Sequence, residues 1–99
     1  MPKVDYSQRA RTAIKDIGLY TIQTWGAAQA DAYVSDLLNR IEAAMQWPQA
    51  APKAMFEGRP VRNLIVRHHV AYYTIEPDRI LIRAIIHENR MPGTLRDPA

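Results

Sequence analysis

From residue 30 to residue 45, apolar side chains recur three and four positions apart: Ala30, Tyr33, Val34, Leu37, Leu38, Ile41, Ala44 and Met45. Such spacing lines one side of an α-helix, and Asp31, Asp36, Asn39, Arg40 and Glu42 fall on the other side. An apolar stripe of this kind must be covered, so the rest of the chain has to supply a surface for it. Pro48 stops the helix. Upstream, Ala10, Ala13, Ile14, Ile17 and Tyr20 repeat at helical spacing behind Ser7, a good N-cap. Gly26 stands where that helix should end. Gly18 weakens its middle by about 1 kcal/mol relative to alanine. The short connection predicts an antiparallel helical hairpin.

Downstream the period changes. Residues 47–60, "WPQAAPKAMFEGRP", carry three prolines and read as an irregular connection. Residues 61–67, 70–76 and 79–86 are β-branched, aromatic and extended in pattern. Glu76-Pro77-Asp78-Arg79 places proline at the second position of a type I turn, which joins the last two runs as a hairpin. A bend is expected at His68-His69. Near the N-terminus Val4 and Tyr6 alternate with Lys3 and Asp5, the pattern of a short first strand. The sum is an α+β domain, with the N-terminal strand and a two-helix antiparallel hairpin on one face of an antiparallel sheet of three to four strands. Ninety-nine residues suffice for one such domain, with 91–99, which hold Pro92, Gly93 and Pro98, as a loose tail.

Charge is unevenly placed. Residues 1–58 carry six cations and six carboxylates, whereas 59–99 carry seven arginines, no lysine and four carboxylates, so the whole net charge of +3 lies in the second part. Arginine offers a planar fork to phosphate or carboxylate. The partner it suggests is acidic, nucleic acid or protein; a solvated basic face is the alternative. There is no cysteine, hence no disulfide and no thiolate nucleophile or ligand. No apolar run approaches the roughly 20 residues of a membrane span, and the first residues lack the apolar core of a secretion signal, so the expected address is the cytoplasm.

Two helices reading "DIGLYTIQTWG" and "ADAYVSDLLNRIEAAMQWP", then the strands "RNLIVRHHVAYYTIE" and "RILIRAIIHENR", resemble the RelE/ParE superfamily of toxins from bacterial type II toxin–antitoxin modules. The resemblance runs from about residue 4 to about residue 90. It implies a compact toxin held in a hetero-oligomer by a cognate antitoxin whose acidic segment wraps it. The tail "IIHENRM" looks more like the ParE branch, whose members poison DNA gyrase, than the RelE branch, whose members cut messenger RNA on the ribosome. The stretch "PQAAPKAMFEGRP" departs from the glycine-rich linker of ParE relatives. An inactive member that serves only in repression with its antitoxin is a third implication.

In the last strand Ile80, Ile82, Ala84 and Ile86 alternate with Leu81, Arg83, Ile85 and His87. The first set is expected under the helices and the second on the open face. On the gyrase reading Arg83, His87 and Arg90 form the toxic surface, and Arg59, Arg62, Arg67 and Arg83 meet the antitoxin. On the ribonuclease reading Arg62, Arg67 and Arg83 hold the scissile phosphate and His87 moves protons near neutral pH. A histidine that merely hydrogen-bonds at a strand end fits the same residues. His68 and His69, adjacent in a strand, point opposite ways, so no metal is expected, nor any cofactor. No Gly-rich phosphate loop, Ser/His/Asp order or paired-carboxylate signature is present, which sets metabolic enzymes aside.

Overall fold

A computed structural model describes residues 3–88. The chain forms β1 (Lys3–Tyr6), α1 (Gln8–Trp25), α2 (Ala27–Ala44), β2 (Lys53–Phe56), β3 (Arg59–Val66), β4 (His69–Ile75) and β5 (Arg79–His87). The strands make one sheet in the order β1-β5-β4-β3-β2. The α+β architecture read from the sequence is present, with two changes. The sheet has five strands rather than three to four, and it is mixed, because β1 runs parallel to β5. The expected tail at 91–99 lies outside the described residues.

The added strand is β2, inside the stretch read as irregular. Its prolines are placed where they do no harm. Pro52 precedes the strand and its carbonyl accepts a bond from the Asn63 amide at 3.1 Å, and Pro60, opposite Met55, stands ahead of Arg62, where the β3–β4 pairing begins, so its missing N–H costs that ladder no bond. Glu57 and Gly58, with φ of 51° and 77°, form the two-residue loop between Phe56 and Arg59. Two consecutive positive φ angles match the twist of paired strands.

Ser7 joins three elements. Its Oγ accepts from the Ala10 amide at 3.0 Å, capping α1, and donates to the Arg83 carbonyl at 2.8 Å. Its amide donates to the Ile82 carbonyl at 2.9 Å. Gly26 alone links the helices. At φ 93°, a region that side chains disfavour, its amide closes α1 onto Ile22 and its carbonyl opens α2 by accepting from Ala30.

The main core lies between the hairpin and one face of the sheet: Ala10, Leu37, Ile41 and Met45 meet Val66, Ala71, Tyr73, Ile80, Ile82 and Ile85. A smaller cluster, Phe56, Val61, Val70, Tyr72 and Ala84, occupies the other face. There Phe56 stacks on Tyr72 at 4.5 Å, and the Arg9 guanidinium covers Phe56 at 5.0 Å while pairing with Glu57 at 2.7 Å. The β2–β3 turn is thereby tied to the start of α1.

Between β4 and β5 the register slips. Tyr73 faces Ile82 and Tyr72 faces Ala84, so Arg83 has no partner opposite. This β-bulge interrupts the alternation. Ile80 and Ile82 lie under the helices as expected, but Ala84 and Ile86 pack in the second cluster, and Ile85 joins the main core. The expectation that Arg83 and His87 share an open face with Ile85 is therefore corrected: one inserted residue exchanges the faces beyond it.

Candidate functional site

The bulge puts the two ends of β5 into different environments. Arg83 donates from Nε to Thr74 Oγ1 at 3.0 Å and from Nη2 to Glu76 Oε2 at 3.2 Å. Arg79 holds the other oxygen of Glu76 at 2.8 Å and reaches Asp5 at 3.3 Å. The Arg79 bond, reinforced by Thr74 and Arg83, keeps the Glu76 carboxyl below the usual range. This network fastens the β4–β5 turn to β1 and occupies the Arg83 fork.

At the other end three histidines gather. His69 is buried and faces His87 directly across the β4–β5 ladder, the rings meeting edge to face at 5.0 Å. Its Nδ1 is 3.0 Å from the Tyr33 hydroxyl of α2. A neutral ring lets that hydroxyl donate to Nδ1. Burial, then the nearby His87 and His68, lower the His69 pKa to about 4, so the ring is neutral at physiological pH. His68 lies in the β3–β4 turn, with Nδ1 3.1 Å from Glu88 Oε1 and its ring 6.4 Å from that of His87. The Glu88 amide closes the group by donating to the His68 carbonyl at 2.8 Å.

Arg67 borders this cluster. It has φ 56°, an uncommon conformation for a long side chain. The turn it builds is anchored to α2: its Nη1 donates to Asp36 at 2.9 Å and its guanidinium lies 4.9 Å over the Tyr33 ring. Asp36 also accepts from Arg40 at 2.9 Å, and these bonds lower its pKa, the Arg67 bond most. Arg62 stands apart on β3, donating from Nη1 to the Gln49 and Ala51 carbonyls at 2.9 and 2.7 Å.

The structure therefore divides the sequence candidates. Arg67 and His87 come together around Tyr33 and His69. Arg83 is bound into the Glu76 network, and Arg62 braces a loop. Arg59 is exposed beside the β2–β3 turn, and Arg90 lies outside the described residues. Tyr33 and Asp36 were not singled out from the sequence, Tyr33 having been absorbed into the apolar stripe of α2. The available signal was the spacing Tyr33, Asp36, Arg40, one polar flank of α2 beside the arginine-bearing turn. Among the described residues no group of three or more His, Asp or Glu is placed to hold a metal ion. Nor is any described helix long and apolar enough to cross a membrane.

A family model described as the ParE toxin of the type II toxin–antitoxin system parDE matches residues 4–92. A solved structure titled "Chromosomal ParDE TA system from P. aeruginosa" superposes with a TM-score of 0.77, covering 88% of this chain and 96% of that one at 18% identity. No curated protein matches the chain.

Proposed function

The chain belongs to the ParE toxin family of type II toxin–antitoxin systems, and from that premise we propose that it inhibits DNA gyrase by protein–protein contact and is neutralised by a cognate antitoxin. The observation that carries the choice against message cleavage is the dispersal of the ribonuclease candidates. Phosphoryl transfer to a 2′-hydroxyl needs a base, an acid and cations converging within about 3 Å of one phosphate. Here Arg62 is spent on two loop carbonyls and Arg83 on Thr74 and Glu76. Those two arginines also lie on opposite faces of the sheet, since Arg62 pairs with Tyr73 of the main core whereas Arg83 joins Thr74 on the other side. Only Arg67 and His87 remain near each other, and Arg67 is already paired with Asp36. Such a set supports contact more than acid–base chemistry.

The purified toxin, freed of antitoxin, is to be assayed in parallel for gyrase supercoiling of plasmid DNA and for ribosome-dependent cleavage of message. The expected result is trapped gyrase–DNA cleavage with intact message. Cut message with normal supercoiling overturns the proposal and makes Arg67 and His87 the first residues to substitute. Inactivity in both assays, with no growth arrest on expression alone, favours a member that works only in repression.

A further inference from the structure

The outer edge of β2 carries backbone groups that no strand of this chain pairs. In the β2–β3 hairpin Phe56 faces Arg59 and Ala54 faces Val61. Two residues further the same register brings Pro52 opposite Asn63, and there the Asn63 amide donates to the Pro52 carbonyl at 3.1 Å. Bonded and unbonded positions alternate along an antiparallel strand, so Ala54 and Phe56 turn their N–H and C=O toward β3, and Lys53 and Met55 turn theirs outward. Among the described residues β2 ends the sheet, so no further strand meets those outward groups. The side chains on this edge are open as well. Met55 is 54% exposed and borders an open groove of about 640 Å³ that runs over β2, β3 and β4 to Ile75, itself 41% exposed. Lys53 is exposed. Glu57, just beyond the strand and also exposed, gives Oε1 to Arg9 at 2.7 Å, with Oε2 left for another donor.

We propose that β2 pairs with β2 of a second copy of the chain, antiparallel about a two-fold axis at Met55. In an isologous pair the choice of centre fixes every contact. Centred on Met55, the two Met55 residues meet, Ala54 faces Phe56 of the second copy, and Lys53 faces its Glu57. Apolar then meets apolar and ammonium meets carboxylate. Centred on Lys53, the two ammonium groups oppose each other. Centred on Ala54, Lys53 is set against Met55, and centred on Phe56, Glu57 is set against Met55. Opposite charges across a ladder stabilise it and like charges weaken it, which selects the Met55 register. The outward N–H and C=O of Met55 exchange bonds across the axis in that register. Ala54 and Phe56 already belong to the small cluster on the sheet face away from the helices, so their approach extends it. A short edge strand tipped with lysine resists open-ended stacking. The two-fold pair is closed, because each copy spends its own β2 edge on the other.

The test takes the full-length chain, purified free of antitoxin, through a concentration series in the analytical ultracentrifuge. A monomer–dimer equilibrium is expected. Lys53→Glu sets carboxylate against Glu57 and should weaken the dimer at least tenfold, the effect shrinking as salt rises. Adding Glu57→Lys restores opposite charges and should recover the dimer. Both side chains are exposed, and circular dichroism and melting verify the fold of each variant. The chain has no cysteine, so a single one reports on the axis. Met55→Cys places two thiols on a hydrogen-bonded pair with Cα atoms about 5.5 Å apart, within disulfide reach. Mild oxidation should then give a covalent dimer, whereas Ile65→Cys, on β3 and 72% exposed, stays single. A wild-type chain that is monomeric throughout the series overturns the proposal. So does a dimer indifferent to Lys53→Glu in which Ile65→Cys crosslinks as readily as Met55→Cys, since the contact then lies elsewhere. A monomeric chain whose folded Lys53→Glu variant loses antitoxin affinity assigns the edge to the antitoxin and likewise overturns it.

Discussion

At pH 7 the His69 ring is neutral, because burial and two neighbouring histidines oppose its protonation. The consequence is a pH-dependent stability with a definite sign. The unfolded chain protonates this histidine near 6.5, the folded chain only near 4. Between those values the unfolded state holds more protons, so stability falls as the medium is acidified from about pH 6.5 toward 4. For a shift of this size the loss is about 3 kcal/mol. His69→Gln removes the titration, so its melting temperature should fall less across that window than that of wild type; equal slopes in the two proteins discard the assignment. Tyr33→Phe should act at constant pH instead, removing the hydroxyl that meets Nδ1 and costing about 1 kcal/mol in urea melts. Neither residue was legible as part of a pair. Adjacent histidines read as pointing opposite ways in one strand, but His68 lies in the β3–β4 turn and both rings approach that of His87; nor does sequence say that His69 meets a tyrosine 36 positions earlier.

Helices and strands were legible to the extent that their periods were uninterrupted. The α2 stripe predicted Ala30, Leu37, Ile41 and Met45 as buried, and they are. The hairpin hinge at Gly26 and the cap at Ser7 followed from residue chemistry. What escaped was local: β2, because proline-rich sequence resembles loop even where the prolines fall just outside the strand itself, and the bulge at Arg83, because an inserted residue leaves the composition of a strand unchanged. Gly18 offers a check on the helix argument. A Cβ built there lies 3.8 Å from Val34 Cγ2, ordinary contact rather than a clash, so close helix packing does not require glycine. Gly18→Ala is expected to stabilise the fold by about 1 kcal/mol, read as a higher denaturant midpoint at constant slope. A lower midpoint would mean that the hairpin is packed more tightly there than this separation indicates. Ser7→Ala should do the opposite, costing about 1 kcal/mol for the cap and more if the freed Arg83 carbonyl finds no other donor.

Across the whole molecule, the open groove over β2, β3 and β4 and the histidine end of β5 are served by opposite ends of β4. Ile75 floors the groove and His69 faces His87, which separates them by about 20 Å at the rise of a strand. A small toxin can thus present two surfaces that mutate independently, since sites this far apart with no shared partner behave additively. If the C-terminal segment carrying Arg90 belongs to the toxic surface, ending the chain after Glu88 removes that surface while sparing every described strand pair. The truncated protein should lose growth inhibition and keep its antitoxin affinity. The four combinations of toxicity and binding, scored in one strain with protein levels matched by immunoblot, separate the two surfaces. A truncation that remains fully toxic takes Arg90 out of the toxic surface and moves attention to the His69–His87–Arg67 end. A truncation that loses toxicity and binding together, though folded, means that the antitoxin reaches the same end of β5, and neutralisation then includes direct occlusion of the toxic surface.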